Sequence, residues 1–477
     1  MFRKMRWKYY LPKHSRNYSI DVKSFQEIPS AKGLPYVGTL FSLINSGGAK
    51  NLHRYIDRRH QEFGPIFLEK LGPITSLFLN DADEIRKVFM HEGRYPKHVL
   101  PECWLLYNKV KKYERGLYFM DREEWFTHRK LLNDMLLKRD YYSEAEKNAV
   151  FVEDMLSRWL DCSNDGKVIN LEDELYNLSL IFMMSFVFGN RFHENTNIFL
   201  PRIHQLSDIV KDIFEYSVKL SMLPATLAMR LNLKIWNGFV NAVDQSVQIT
   251  RELLHDAIQL YKEDINDESI LQFLLKRNLG TDLIERILVD FILAAGDTTA
   301  YTMLWTFYLL GRHKDVQDKL FVDIVESKGK NEQSPAIRNV IKESMRLYPI
   351  APFIARYLPE ETSICGYRIP ANQLISLSMY NSSRNEKYFP NADQFQPSRW
   401  QRLENGKYAS VIDPYATLPF AMGARSCIGR NLSKAQLFFT IDKIISSFEI
   451  ESLNEVDVKL NLITLPSQPV HLHLRRR

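Results

Sequence analysis

The stretch Phe420-Ala421-Met422-Gly423-Ala424-Arg425-Ser426-Cys427-Ile428-Gly429 constrains this chain more than any other. It sets one cysteine between glycines on a turn, and an apolar helical run with Leu437, Phe438, Phe439 and Ile441 follows. Amide N–H groups of such a turn and of the next helix start stabilise negative charge on sulfur. A thiolate held this way binds soft or borderline metals, haem iron among them. Glycine at 423 and 429 lets backbone approach a flat macrocycle that a Cβ would obstruct. Arg425 is placed to pair with a haem propionate. A lone cysteine beside glycine is more often a small buried residue. Against that stands the full pattern Phe-x-x-Gly-x-Arg-x-Cys-x-Gly, met here in every position.

Four cysteines in 477 residues (Cys103, Cys162, Cys365, Cys427) show no paired spacing, which argues for a reducing compartment and against a disulfide framework. A hydrophobic share of 45% and an aromatic share of 12% fill a large core around a cofactor. The net charge of +6 comes from the N-terminus: Arg3, Lys4, Arg6, Lys8, Lys13 and Arg16 lie in an acid-free segment. The remainder is close to neutral, so the charge is no sign of nucleic-acid binding. That segment, interleaved with Phe2, Trp7, Tyr9 and Tyr10, reads as a mitochondrial presequence over residues 1–25, with a disordered basic tail as the alternative. Residues 26–477 are expected to form a single domain. Nowhere does the chain carry the ~20 uninterrupted apolar residues of a membrane-spanning helix.

The Pro- and Gly-rich run Ile28–Gly38 should be extended and turning. Residues 65–80 alternate as a hairpin does. Helical periodicity then dominates from residue 82 to about 350, and strand-like pieces return near Ile364–Arg368, Leu374–Ser378 and Val470–Leu474. In an expected helix from Asp121 to Lys138, Trp125 and Arg129 share a face. Ile284, Leu288, Phe291, Ala295, Thr298 and Thr302 recur on one face of a longer helix that contains Ala294-Ala295-Gly296-Asp297-Thr298-Thr299. An acid and hydroxyls inside an apolar stripe work against burial, and such local violations often mark functional sites.

The ten-residue loop resembles the haem-binding loop of the cytochrome P-450 family. The resemblance implies a mainly α fold with small β-sheets, in which haem b lies between a long central helix and the cysteine-bearing loop. Cys427 would be the axial ligand of the haem iron, with Phe420 beside it. Trp125-x-x-x-Arg129 is similar to the family's propionate-holding pair, with His128 assisting, and Arg356 and Arg425 match further propionate contacts. Asp297 and Thr298 resemble the oxygen-activation motif, where acid and hydroxyl relay protons. The family usually has glycine where Ala295 stands, so the groove here is expected to differ in shape. Glu343-x-x-Arg346, with Arg399 later, resembles a structural triad that fixes the haem-side loop.

Such an enzyme needs electrons from a partner. Arg338 and Lys342 share a helical face and match the positions by which mitochondrial members dock an acidic ferredoxin, itself reduced by an NADPH reductase; Arg430 and Lys434 extend the patch. Asn431 stands where such members commonly carry another arginine. The stretches Gly33–Pro35, Ala294–Ala300, Glu343–Tyr357 and Pro419–Arg430 are similar to insect mitochondrial ecdysteroid hydroxylases. That likeness implies C2-hydroxylation of 2-deoxyecdysone on the matrix side of the inner membrane, with another ecdysteroid position or a foreign compound as the alternative substrate. Tyr95–Leu117, Ser217–Leu231, Phe291, Ile350–Ile354 and Leu462–Pro466 are expected to line the substrate pocket. Ser221–Pro224 with Leu227 and Met229 is expected to touch a membrane surface or to form a core helix–turn. A peroxide-rearranging haem isomerase or a haem sensor has no use for the acid–threonine pair or the basic patch.

Overall fold

The computed structural model describes residues 22–161, 167–168, 170–221, 223–260, 268–329 and 333–477. Most of the expected presequence, Cys162 and Met222 lie outside the described residues. The organising element is the helix Thr281–Arg312, 32 residues long, which starts after the extended Gly280 and ends at His313. Among the described residues it is the one helix long and apolar enough to cross a membrane, yet 78% of its apolar window is enclosed by protein. Leu171–Phe188, apolar nearly all round, lies against it as a buried helix must. Lys234–Gln259, Pro335–Leu347 and Arg430–Ser447 complete the helical surround.

The expected hairpin forms as Ile66–Leu71 and Ile74–Leu79, paired antiparallel from Ile66–Leu79 to Leu71–Ile74. Leu374–Ser378 joins the second strand in parallel, and Phe353–Tyr357 joins Leu374–Ser378 antiparallel, which puts Arg356 opposite Ile375. The piece expected near Ile364–Arg368 is instead two short strands, Thr362–Ile364 and Tyr367–Ile369. Cys365 and Gly366, with φ of +48° and +78°, make the tight turn between them. A cysteine there gave no turn signal. Lys23 bonds through its backbone to Gly366 and Arg368, so the fold takes in residues that the expected boundary at 25 assigns to the leader. The helix Arg122–Leu136 is capped by Asp121, whose carboxylate accepts from the Arg122 N–H at 2.8 Å.

Pro335–Leu347 carries a buried charge cluster. Arg346 grips Glu343 through Nε and Nη2 at 2.9 and 2.8 Å, and Arg399 Nε reaches the same carboxylate at 2.9 Å. Trp400 Nε1 and the Gln396 N–H also donate to it, at 2.8 and 3.0 Å. The rest of both guanidinium groups goes to backbone carbonyls: Ser383, Ala392 and Gln394 for Arg346, Pro390 and Asn391 for Arg399. One carboxylate thus ties the irregular segment 383–400 to a helix. Glu343→Ala leaves two enclosed cations without their anion and should lower stability by about 3–5 kcal/mol, read from chemical denaturation.

Candidate haem site

The loop before Arg430–Ser447 folds back on itself. The Cys427 N–H donates to the Phe420 carbonyl at 2.8 Å, and the Ser426 N–H to that of Gly423 at 3.2 Å. Ala421 and Gly423 hold left-handed φ of +53° and +79°. The reason for glycine differs between its two ends. A Cβ on Gly423 would lie 2.0 Å from Oε1 of the buried Glu92, so that glycine makes room for a carboxylate, not for a macrocycle. A Cβ on Gly429 would meet nothing within 4 Å, and Gly429 lines an internal cavity. Burial pushes the Cys427 thiol upward. The Gly429 amide and the charges of Arg129, Arg430 and Lys434 favour the thiolate against it. Burial also dominates at Cys103 and Cys365, raising them to about 11 and about 12 against weaker opposing contributions from Ser217 and from Lys87 and Lys387.

Cys427 is deep in the protein, yet its surface is accessible because it faces that cavity. Phe420, Ile428 and Gly429 flank it on the loop side; Phe291, Ala294 and Thr298 of the central helix form the opposite wall. Ala294 and Thr298, one turn apart, are accessible residues in an otherwise buried stretch of helix. Of the segments expected to line a substrate pocket, Phe291, Ile350 and Ala351 border this space. Leu227 is exposed and Met229 packs against the main core.

The arginines gather around the loop. Arg129 gives Nε to Asn133 and Nη2 to the Ser426 carbonyl, at 2.8 and 2.6 Å. Arg425, its guanidinium 4.3 Å from the Trp125 ring centroid, gives Nε to Pro96 and Nη2 to Met120. Arg356 gives Nε to Glu92 and Nη1 to its neighbour Ala355. Burial lowers Arg129 and Arg425 to about 10. Each guanidinium keeps one nitrogen with no protein partner among the described residues: Nη1 of Arg129, Nη2 of Arg356 and Nη1 of Arg425. Beside them, His98 has an enclosed Nε2 without a hydrogen-bond partner, and burial followed by Arg425 and Arg356 pushes it down to about 3.

Free donors beside mutually repelling cations ask for an anion, and haem carries propionate carboxylates. The accessible Cys427, the open space at Gly429 and these donors fit that group. Glu92 was not legible in the sequence. It accepts from Arg356 at 2.8 Å with one oxygen and from the Ala424 N–H at 2.8 Å with the other. His128 turns away, toward the Glu124 carbonyl of its own helix.

Asp297 and Thr298 part company. Thr298 borders the cavity and donates to the Ala294 carbonyl at 2.8 Å. Asp297 is buried elsewhere, where Tyr176 donates to it at 3.2 Å and burial raises its carboxyl to about 7. Adjacent helical residues point about 100° apart, so the two sides differ by necessity.

Arg338, Lys342, Arg430 and Lys434 are neighbours: the first three, after burial, push the Lys434 ammonium below its usual range. Lys342 lies over the Tyr408 ring at 5.0 Å. Asn431 does not join them; its Nδ2 donates to the Leu137 and Arg139 carbonyls, at the end of the Trp125 helix.

Cys427→Ser should abolish the thiolate-type Soret band of the reduced carbon-monoxide complex. Glu92→Gln should leave the band's position unchanged but speed haem transfer to apomyoglobin, because a buried ion pair worth about 3–5 kcal/mol when broken holds the loop.

The family model of cytochrome P450 matches residues 28–474. Cytochrome P450 315a1, mitochondrial, of Drosophila melanogaster is 35% identical, covering 94% of this chain and 88% of the relative. The mitochondrial cholesterol side-chain cleavage enzyme of Oncorhynchus mykiss is 26% identical, covering 97% and 92%. The solved structure of retinoic acid bound cyanobacterial CYP120A1 superposes with a TM-score of 0.75 at 20% identity over 94% of this chain and 99% of that one, which shows the fold. With the cysteine loop, the facing helix and the arginine cluster in place, the chain belongs to the cytochrome P450 family, a haem-dependent monooxygenase related to mitochondrial members.

Proposed function

We propose that this protein is a mitochondrial, ferredoxin-dependent steroid hydroxylase, and that its reaction is C2-hydroxylation of 2-deoxyecdysone to ecdysone on the matrix side of the inner membrane. The observation that carries the monooxygenase chemistry is the apolar cavity between Cys427 and the central helix, into which Thr298 brings a hydroxyl. The steroid reading is supported by relatives named as mitochondrial cholesterol side-chain cleavage enzymes and by the sequence likeness to insect ecdysteroid hydroxylases.

When bound, haem activates dioxygen with two electrons and inserts one oxygen atom into a substrate C–H bond. The chain's own residues do the rest. Cys427 would hold the haem iron through its thiolate, whose charge the Gly429 N–H and the nearby cations favour. Arg129, Arg356, Arg425 and His98 would receive the propionates, with Trp125 backing Arg425. Thr298, with its oxygen in the cavity and its proton on the Ala294 carbonyl, is placed to turn and donate that proton. Asp297, poised near neutrality by burial, replaces it. Phe291, Ala294 and Ile350 exclude water and present a lipophilic face to the substrate. Electrons arrive at the basic patch, where complementary charge steers an acidic ferredoxin.

Reconstitution with a mitochondrial-type ferredoxin and its NADPH reductase tests this reading; formation of ecdysone from 2-deoxyecdysone is the expected result. A thiolate band without that product, but with turnover of another ecdysteroid, would move the substrate and keep the chemistry. Arg338→Glu with Lys342→Glu should cut ferredoxin-driven turnover at least tenfold, on the order expected when steering charge is reversed. Peroxide-driven turnover should stay near its original rate.

A further inference from the structure

The central helix carries glycine one place later than its family usually has it, and the structure shows what that glycine touches. A Cβ on Gly296 would meet the phenol of Tyr176: Oη at 2.6 Å, Cζ at 2.7 Å, Cε1 at 2.9 Å. Tyr176 comes from Leu171–Phe188, a largely buried helix with an acidic first turn, and its hydroxyl donates to Asp297 Oδ2 at 3.2 Å. One turn on, Ser179 donates to the Ala295 carbonyl at 2.9 Å. The neighbouring helix therefore holds the oxygen motif at two points, and the close approach exists because position 296 has no side chain.

The helix angle turns Asp297 away from the cavity of Cys427, and the Tyr176 contact fixes its carboxyl where that angle puts it. Asp297 does not border the cavity of Cys427; with Tyr301 and Lys211 it lines a separate cleft, rimmed by Lys50 and Lys459. Lys211, ion-paired with Asp173, lies 5.0 Å from the centroid of the Tyr176 ring. From this we infer that Tyr176 is the positioning residue of Asp297: admitted by Gly296, its phenol fixes the carboxyl at the lysine-rimmed cleft, through which Asp297 exchanges its proton with solvent. This rests on the proton-relay reading of Asp297 and Thr298. In the step a proton passes from cleft water to the Asp297 carboxylate, and hydroxide returns to bulk water; no electron moves.

Tyr176 from Leu171–Phe188 and Lys211 from Thr196–Ser221 act on this carboxyl; Glu215 and Lys219 from Thr196–Ser221, Tyr301 from its own helix, Lys50 and Lys459 line the same cleft, and Glu172 and Asp173 act on Tyr301. Burial sets the titration near 7, while the Tyr176 hydrogen bond and then Lys211 pull it down. Loss of the Tyr176 hydroxyl must therefore move the midpoint up.

Infrared difference titration of the resting ferric holoenzyme reads the carboxyl without turnover. A protonated-carboxyl band absent from Asp297→Asn should titrate near pH 7, and in Tyr176→Phe its midpoint should rise. Product formed per NADPH should shift along pH in the same direction. With the haem cavity filled by ketoconazole, the titration should proceed unchanged; its suppression would show exchange through the cavity and overturn the cleft. Gly296→Ala should lower the melting temperature in the native background and lower it less in Tyr176→Leu. Additive losses would remove the packing argument. An unmoved midpoint in Tyr176→Phe overturns the positioning role while the relay stands. Unchanged coupling and solvent isotope effect in Asp297→Asn would instead sink the relay itself.

Discussion

The Glu92 carboxylate is the interaction on which the cysteine loop depends. It is almost fully enclosed, and a buried charge persists only where its hydrogen-bonding capacity is met. One oxygen meets Arg356 on the strand Phe353–Tyr357, the other the Ala424 N–H on the loop. The sheet and the loop are thereby joined by one side chain. The joint demands the missing Cβ at Gly423, and it fixes the height of the turn from which Cys427 projects. Arg129 completes the frame from the helical side by holding the Ser426 carbonyl, next to the cysteine itself.

The same logic runs through the central helix. Its hydroxyls are not loose ends: Thr298, Thr302 and Thr306 each donate to the carbonyl four residues back, at 2.8, 2.7 and 2.7 Å. The polar groups that break its apolar pattern are thus divided by side. Hydroxyl faces the cavity and acid faces the neighbouring helix, with the backbone of Gly296 as the thin partition at the acid's side.

The hairpin at 65–80 and the two helices around Trp125 and Asp297 were legible in the sequence, because each rests on local pattern. What it missed shares one physical cause. Glu92 and Ala424 are 332 residues apart and Tyr176 and Asp297 are 121 apart, so no local period announces either pair. Tyr176 sits in a helix apolar enough to read as plain core, and His98 lies in a segment with no periodicity of its own. In sequence, glycine at 423 reads as clearance for a cofactor; in the structure it is clearance for the Glu92 carboxylate. Asn431 was read against a docking surface, but it caps the end of the Trp125 helix, where its amide satisfies carbonyls that would otherwise lack donors. Asp297 and Thr298 were treated as one unit, although the helix angle alone sends them apart.

The crowding of Arg338, Lys342, Arg430 and Lys434 has a consequence for kinetics. Burial first, and then Arg430, Lys342 and Arg338, hold the Lys434 ammonium below its usual range, so an anion arriving at the patch relieves repulsion among its cations. Interactions of this kind reach about 8 Å at physiological ionic strength and about 3 Å in molar salt. Under the proposed docking of an acidic ferredoxin at this patch, the rate at which electrons enter is therefore a property of the surrounding electrolyte as much as of the fold.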